Sequence, residues 1–131
     1  MRFGYTILYV SDVASSLEFY ERALGQRRRF LHESGQYGEL DTGDTALAFA
    51  AHELAAANVP GVYRPEEGPD ARRAFEVCFV TRHVQSAFDR ATTEGAESVT
   101  PPQTKPWGQQ VAYVRDPDGN LVEIASPTGN A

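Results

Sequence analysis

The chain has 131 residues, 41% of them apolar and 23% charged, the composition of one soluble domain with a sizeable core. Its formal net charge of -6 disfavours non-specific binding to nucleic acid or anionic membranes, which needs clustered Lys and Arg. The single cysteine, Cys78, rules out an intrachain disulfide and a cysteine zinc motif, and its apolar run predicts a buried, inert thiol.

At the N-terminus, Arg2 is followed at once by a strand-like pattern, without the long apolar stretch of a signal peptide. Nowhere do the ~20 apolar residues of a membrane helix accumulate, so a cytoplasmic protein without a membrane partner is expected. "YTILYV", residues 5–10, reads as a buried strand. Ser11-Asp12 offers N-cap chemistry. Val13, Leu17, Tyr20 and Leu24 then form one helical stripe, which Gly25 ends. "RRRFLHE", "QYGELDT" and "TALAFAA" are strands separated by Gly-containing turns. The one basic cluster, Arg27-Arg28-Arg29, reads as a solvated strand or loop, with an anion-binding spot as the alternative. "HELAAAN" predicts a short helix, and "VPGVYRPEEGPDARR" an exposed connection.

The second half repeats the order. "AFEVCFVT" is a strand, "VQSAFDRATTEG" a helix, and "ESVTP", "QQVAYVR" and "LVEIAS" are strands, with "PPQTKPWG" a Pro-rich loop. Asp116-Pro117-Asp118-Gly119 has the chemistry of a type I turn, which makes the last two strands a hairpin. Alternation puts Glu123 on the opposite face from Val122 and Ile124. A shift of 71 residues carries Tyr5 onto Glu76, Val13 onto Val84 and Leu17 onto Phe88; a shift of 75 carries Ala48 onto Glu123.

The expected fold is therefore α+β: two tandem β-α-β-β-β modules forming a curved mixed sheet around a cavity. One domain spans 1–131, with module 1 at about 1–51, a linker at about 52–73 and module 2 at about 74–127. Matching positions then face each other across the cavity, Tyr5 with Glu76 and Ala48 with Glu123. Phe49 belongs to the core, and Tyr113 shares a face with Val111 and Arg115. Arg115 is expected to meet a carboxylate there or to lie at the rim.

"YVSDVASSLEFYERALG" (9–25) and "KPWGQQVAYVRDPDGNLVEIASP" (105–127) resemble the vicinal oxygen chelate superfamily, which includes glyoxalase I, extradiol dioxygenases and the fosfomycin- and bleomycin-resistance proteins. The resemblance places the family's metal-ligand positions at Tyr5, Ala48, Glu76 and Glu123, of which only Glu123 is the usual residue. Ala48 offers no donor, Glu76 stands where imidazole is expected, and a phenol such as Tyr5 titrates near 10. No metal or other cofactor is therefore expected; two carboxylates with waters could hold Mg²⁺ weakly. His32, His52 and His83 read as surface or loop residues, with His83 solvent-facing or capping. In relatives the segment around Trp107 borders the ligand cavity.

Left without a metal, Glu76 and Glu123 are expected to bond Tyr5, a Ser or Thr, or an Arg across the cavity, or to share a site in which one pKa rises. Two functions follow from the resemblance. The first is a small-molecule-binding protein of the bleomycin-resistance type, with Tyr5, Ala48, Glu76, Trp107, Tyr113 and Glu123 in contact with ligand. The alternative is a glyoxalase-like lyase or isomerase using Glu76 and Glu123 as acid and base or as weak metal ligands; the sequence leaves catalysis itself open. Since relatives commonly dimerise, a homodimer is expected.

Overall fold

A computed structural model describes residues 1–65 and 75–128. The chain divides into two compact units, Met1–Arg72 and Arg73–Ala131. The first contains β1 (Tyr5–Val10), α1 (Val13–Leu24), β2 (Arg28–Leu31), β3 (Tyr37–Leu40), β4 (Ala46–Ala51) and α2 (His52–Asn58). The second contains β5 (Val77–Val80), α3 (Val84–Thr93), β6 (Glu97–Thr104), β7 (Gln110–Arg115) and β8 (Leu121–Ala125). Each unit has one four-stranded mixed sheet, of order β1-β4-β3-β2 in the first and β5-β8-β7-β6 in the second. The order β-α-β-β-β is thus present twice. The end of the expected linker and its junction with the second module, residues 66–74, lie outside the described residues.

Local chemistry sets the elements. The Asp12 carboxylate accepts from the Ser15 amide at 2.9 Å and caps α1, and Gly25 closes that helix with φ 64°. One face of the first sheet packs on α1: Leu8 and Val10 from β1 and Phe49 from β4 are buried with Val13, Leu17 and Tyr20. The Tyr20 and Phe49 rings lie 5.0 Å apart, which puts Phe49 in the core as expected. At Gly38 a Cβ would come within 2.8 Å of Leu17 Cδ1, so α1 approaches β3 as closely as it does only over a glycine. In the second unit Val84, Phe88 and Ala91 of α3 cover Ala112, Val114, Val122 and Ile124.

The register gives the duplication a stricter form than sequence identity does. In the first unit Thr6 pairs with Leu47 and Ile7 with Ala48; in the second Val77 pairs with Val122 and Cys78 with Glu123. The same shifts of 71 and 75 residues relate all four positions. The antiparallel neighbours follow, because Glu39 pairs with Ala48 as Tyr113 pairs with Glu123.

One segment differs from expectation. β6 continues through Pro101-Pro102, which the composition assigned to a loop. It is an edge strand with a register shift between Thr100 and Gln103, the setting in which proline costs no ladder bond. The described start of the expected connection, residues 59–65, is exposed as expected except at Tyr63, which is half-buried: its ring meets Tyr9 edge-on with centroids 4.8 Å apart and its hydroxyl hydrogen-bonds His52 Nδ1. Among the described residues no helix is long and apolar enough to cross a membrane.

Candidate functional site

In β8 the alternation holds. Val122 and Ile124 are buried beneath α3, and Glu123 projects from the opposite face. The turn that fixes this register is built around Asp116, which is buried and accepts from the amides of Asp118 and Asn120 and from Asn120 Nδ2, at 2.8–3.0 Å. Gly119 donates back to the Asp116 carbonyl at 2.9 Å, the closing bond of the expected turn. Arg115 donates to the Gly119 carbonyl at 3.2 Å and so stays at the hairpin end, away from the carboxylates.

Register brings Cys78 and Tyr113 to either side of Glu123. The Tyr113 hydroxyl donates to Oε1 at 2.6 Å, and the Cys78 thiol to Oε2 at 3.0 Å. Glu76, just before β5, hydrogen-bonds the same carboxylate. Burial and the neighbouring charge of Glu123 raise the Glu76 pKa above the ordinary carboxylate value, so of the two carboxyls Glu76 is the one favoured to carry a shared proton. Burial pushes Glu123 up too, but the bonds from Cys78, Tyr113 and Glu76, with the charge of Lys105, outweigh it and lower its pKa. The Cys78 thiol is pushed up to about 12 by burial and by its bond to Glu123. The Tyr113 phenol is also raised, first by that same acceptor and then by burial. Glu123 is thus the more acidic carboxyl of the pair, held among O–H and S–H donors.

Two expectations need correction. Cys78 is exposed rather than buried, because on β5 it shares the face of Glu76 and Glu123, not the face packed on α3. Although the residue as a whole is exposed, its sulfur is shielded enough by its neighbours for desolvation, with the bond to Glu123, to push the thiol up to about 12. The partners of Glu123 are Tyr113, Cys78 and Glu76 rather than Tyr5, a Ser or Thr, or an Arg.

In the first unit, Ala48 is fully buried between Ile7 and Glu39. Tyr5 is 55% exposed on the same face. The polar group of this face is one strand away and was not singled out in the sequence. Glu39 of β3, only 6% exposed, accepts from the Tyr37 hydroxyl at 2.8 Å and meets Arg29 Nη1 at 3.4 Å. Burial and that hydrogen bond raise the Tyr37 pKa, so the phenol stays a donor. The signal was present in "QYGELDT", where Tyr37 and Glu39 alternate onto the face of Ala48. The basic cluster is largely solvated, as expected of a surface strand, with the Arg27 side chain 85% and the Arg29 side chain 42% exposed; Arg28 pairs with Glu21 at 2.8 Å, Arg29 with Glu39 and Asp41, and Arg27 with Asp41.

The histidines lie apart from these groups. His32 is in the β2–β3 turn with Ser34, His52 begins α2, and His83 is exposed ahead of α3 without a side-chain cap bond. Trp107 is 64% exposed and donates to Gln109 Oε1 at 2.9 Å, in the loop that also carries Lys105.

Two β-α-β-β-β units, with a β8 carboxylate facing away from the helix, define the tandem fold to which glyoxalases belong. The model of the Glyoxalase/Bleomycin resistance protein/Dioxygenase superfamily matches residues 2–124, and the chain belongs to that superfamily. It is 32% identical to YraH of Bacillus subtilis, over 89% of this chain and 91% of that protein. It is 28% identical to a lactoylglutathione lyase of Pseudomonas aeruginosa, over 98% and 84%. The crystal structure of a glyoxalase-related enzyme from Fulvimarina pelagi superimposes with a TM-score of 0.83 at 21% identity, covering 96% of this chain and 88% of that one; at that identity the likeness is one of fold.

Proposed function

We propose that this chain is a small-molecule-binding protein of the glyoxalase/bleomycin-resistance type that works without a resident divalent metal, as a cytoplasmic homodimer. The observation carrying this reading is the state of Glu123, whose two oxygens accept from Tyr113 and Cys78. A metal would have to displace these donors and remove protons from Glu76 and from a thiol pushed up to about 12. The matching position of the first unit, Ala48, supplies no donor. These residues do not fit a divalent ion that prefers imidazole and carboxylate with one open position.

Ligand contact is assigned to Tyr5, Glu76, Tyr113, Glu123 and exposed Trp107. Ala48 serves the ligand by leaving room. The test is metal loading: after incubation with Zn²⁺, Ni²⁺ or Fe²⁺ and gel filtration, the protein should carry no stoichiometric metal. Tight metal that disappears in Glu123→Gln would overturn the reading. An aromatic ligand should quench the single Trp, and sedimentation should give twice the chain mass of 14.4 kDa.

A second reading rests on the proton shared between Glu76 and Glu123. A neutral carboxyl beside an ionised one is an acid-base pair, and such a pair can move a proton next to a carbonyl. Lactoylglutathione lyase activity in metal-free protein, abolished by Glu76→Gln, would favour this enzyme over the binding protein.

A further inference from the structure

The face of the first sheet that turns away from α1 has an unusual floor. β4 presents Ala46, Ala48 and Ala50 to it, three short and buried side chains between Tyr5, Ile7 and Tyr9 of β1 and Tyr37 and Glu39 of β3. A register shift in β2 lets both Arg29 and Phe30 reach this face, Phe30 opposite Glu39 and 5.9 Å from the Tyr37 ring. The rings remain accessible, with Tyr5 55%, Tyr9 43% and Phe30 39% exposed, while Glu39 lies beneath them at 6%. Its row reads Ile7, Ala48, Glu39, Phe30 across four strands.

Arg29 is the cation that balances Glu39, and it is held loosely. Its contacts to Glu39 Oε1, Asp41 Oδ1 and the Gly43 carbonyl are 3.4, 3.5 and 3.4 Å. A well-seated guanidinium–carboxylate bond is about 2.7–2.9 Å. The Arg29 side chain is 42% exposed and can withdraw to water. A planar cation from outside could approach Oε1 more closely, with its apolar body on the rings, where a positive charge is also favoured by the ring faces.

We propose that Glu39 is the ligand-anchoring carboxylate of the first unit, in place of the donor missing at Ala48, and that it takes the head of an amidinium- or ammonium-type organic cation with a flat apolar body, Arg29 being the resident competitor. This rests on the small-molecule-binding reading and supplies its ligand class.

Benzamidine is a direct probe, and benzamide is its neutral isostere. Both are titrated into the full ¹⁵N-labelled chain near neutral pH. Benzamidinium should shift amides of β2 and β3 saturably, with benzamide about tenfold weaker or worse. Arg29→Ala removes the competitor and should tighten benzamidinium severalfold, whereas Glu39→Gln should weaken it about tenfold. Equal affinity for the two probes, unchanged affinity in Arg29→Ala, or no binding by either wild type or Arg29→Ala overturns the proposal. Should Glu39→Gln fail to fold, the isostere comparison and Arg29→Ala still decide. Shifts confined to β7 and β8 and lost in Glu123→Gln would overturn Glu39 as the anchor yet leave the binding reading intact; that reading fails separately, on stoichiometric metal.

Discussion

The two units solve the same electrostatic problem by different means. Each sets a carboxylate on the sheet face away from its helix and gives it a tyrosine hydroxyl, Tyr37 for Glu39 and Tyr113 for Glu123. The first unit places the carboxylate on β3, buries it and balances it with a guanidinium. The second places it on β8, leaves it half-buried and balances it with shared protons. Backbone register survives the duplication while the charge moves by one strand. A fold of this kind fixes where a side chain points, and substitution decides which strand carries the chemistry.

The largest expected effect tests the proton-rich half. With its pKa pushed up to about 12, exposed Cys78 should react with iodoacetamide on the order of 10³-fold more slowly than an unperturbed thiol. Ile7→Cys in a Cys78→Ser background puts a thiol at the matching position, beside Ala48 instead of a carboxylate. It should alkylate much faster under the same conditions. Equal rates at the two positions would erase the contrast between the units.

The helix-facing side separates the units next. Gly38 and Ala112 occupy matching positions, opposite Phe49 and Ile124. Gly38→Ala drives a methyl toward Leu17 and should cost about 1–3 kcal/mol in urea unfolding. Ala112→Gly should cost about 1 kcal/mol, from lost packing and added chain freedom. A neutral Gly38→Ala would show that α1 can lift as freely as α3.

Tyr37→Phe and Tyr113→Phe compare the carboxylates themselves. Glu39 is only 6% exposed, so little water can take the place of its lost phenol and about 1–2 kcal/mol is expected. Water can replace the phenol at Glu123, and the loss there should stay under about 1 kcal/mol. Reversed magnitudes, read from paired denaturation curves, would mean that Glu123 is the more isolated group.

The smallest effect is a pH slope. Because the folded-state pKa of Glu76 is raised, its contribution is complete below the ordinary carboxylate range and is lost as pH rises through the raised value. The lowered pKa of Glu123 works oppositely, its contribution being lost as pH falls through the lowered value. Glu76→Gln fixes the neutral form. The stability difference between wild type and Glu76→Gln should therefore shift in favour of the variant as pH rises from the carboxylate range upward. Parallel curves would remove the shared proton.

What the sequence disclosed, and what it hid, follows from periodicity. The helix at 13–24 was legible because capping residues and apolar spacing agreed, whereas the short helix at 52–58 has no side-chain cap; the strand at 5–10 was legible as a strand but not as a buried one, since Tyr5, Ile7 and Tyr9 are exposed and only Leu8 and Val10 are buried. The face of Glu123 was legible because parity in a strand is binary. Partners were not, since they depend on cross-strand register, which parity alone leaves unset. Cys78 was therefore misplaced by its apolar neighbours, and Glu39 was passed over because the matching position, Ala48, drew attention to the wrong strand. Proline composition hid the second half of β6, where an edge position removes the usual objection.

The turn around Asp116 makes the length of one short loop a chemical constraint. Its bonds lock Tyr113 opposite Glu123 and leave no slack for an added residue. One inserted codon between Asp116 and Asn120 that was absorbed by sliding β8 would present Val122 and Ile124 to the open face and drive Glu123 under α3. Two inserted codons would preserve the faces and move only the height. Length variation in this hairpin should therefore occur in even steps among functional descendants, so that a frame of two governs the loop as a frame of three governs its gene.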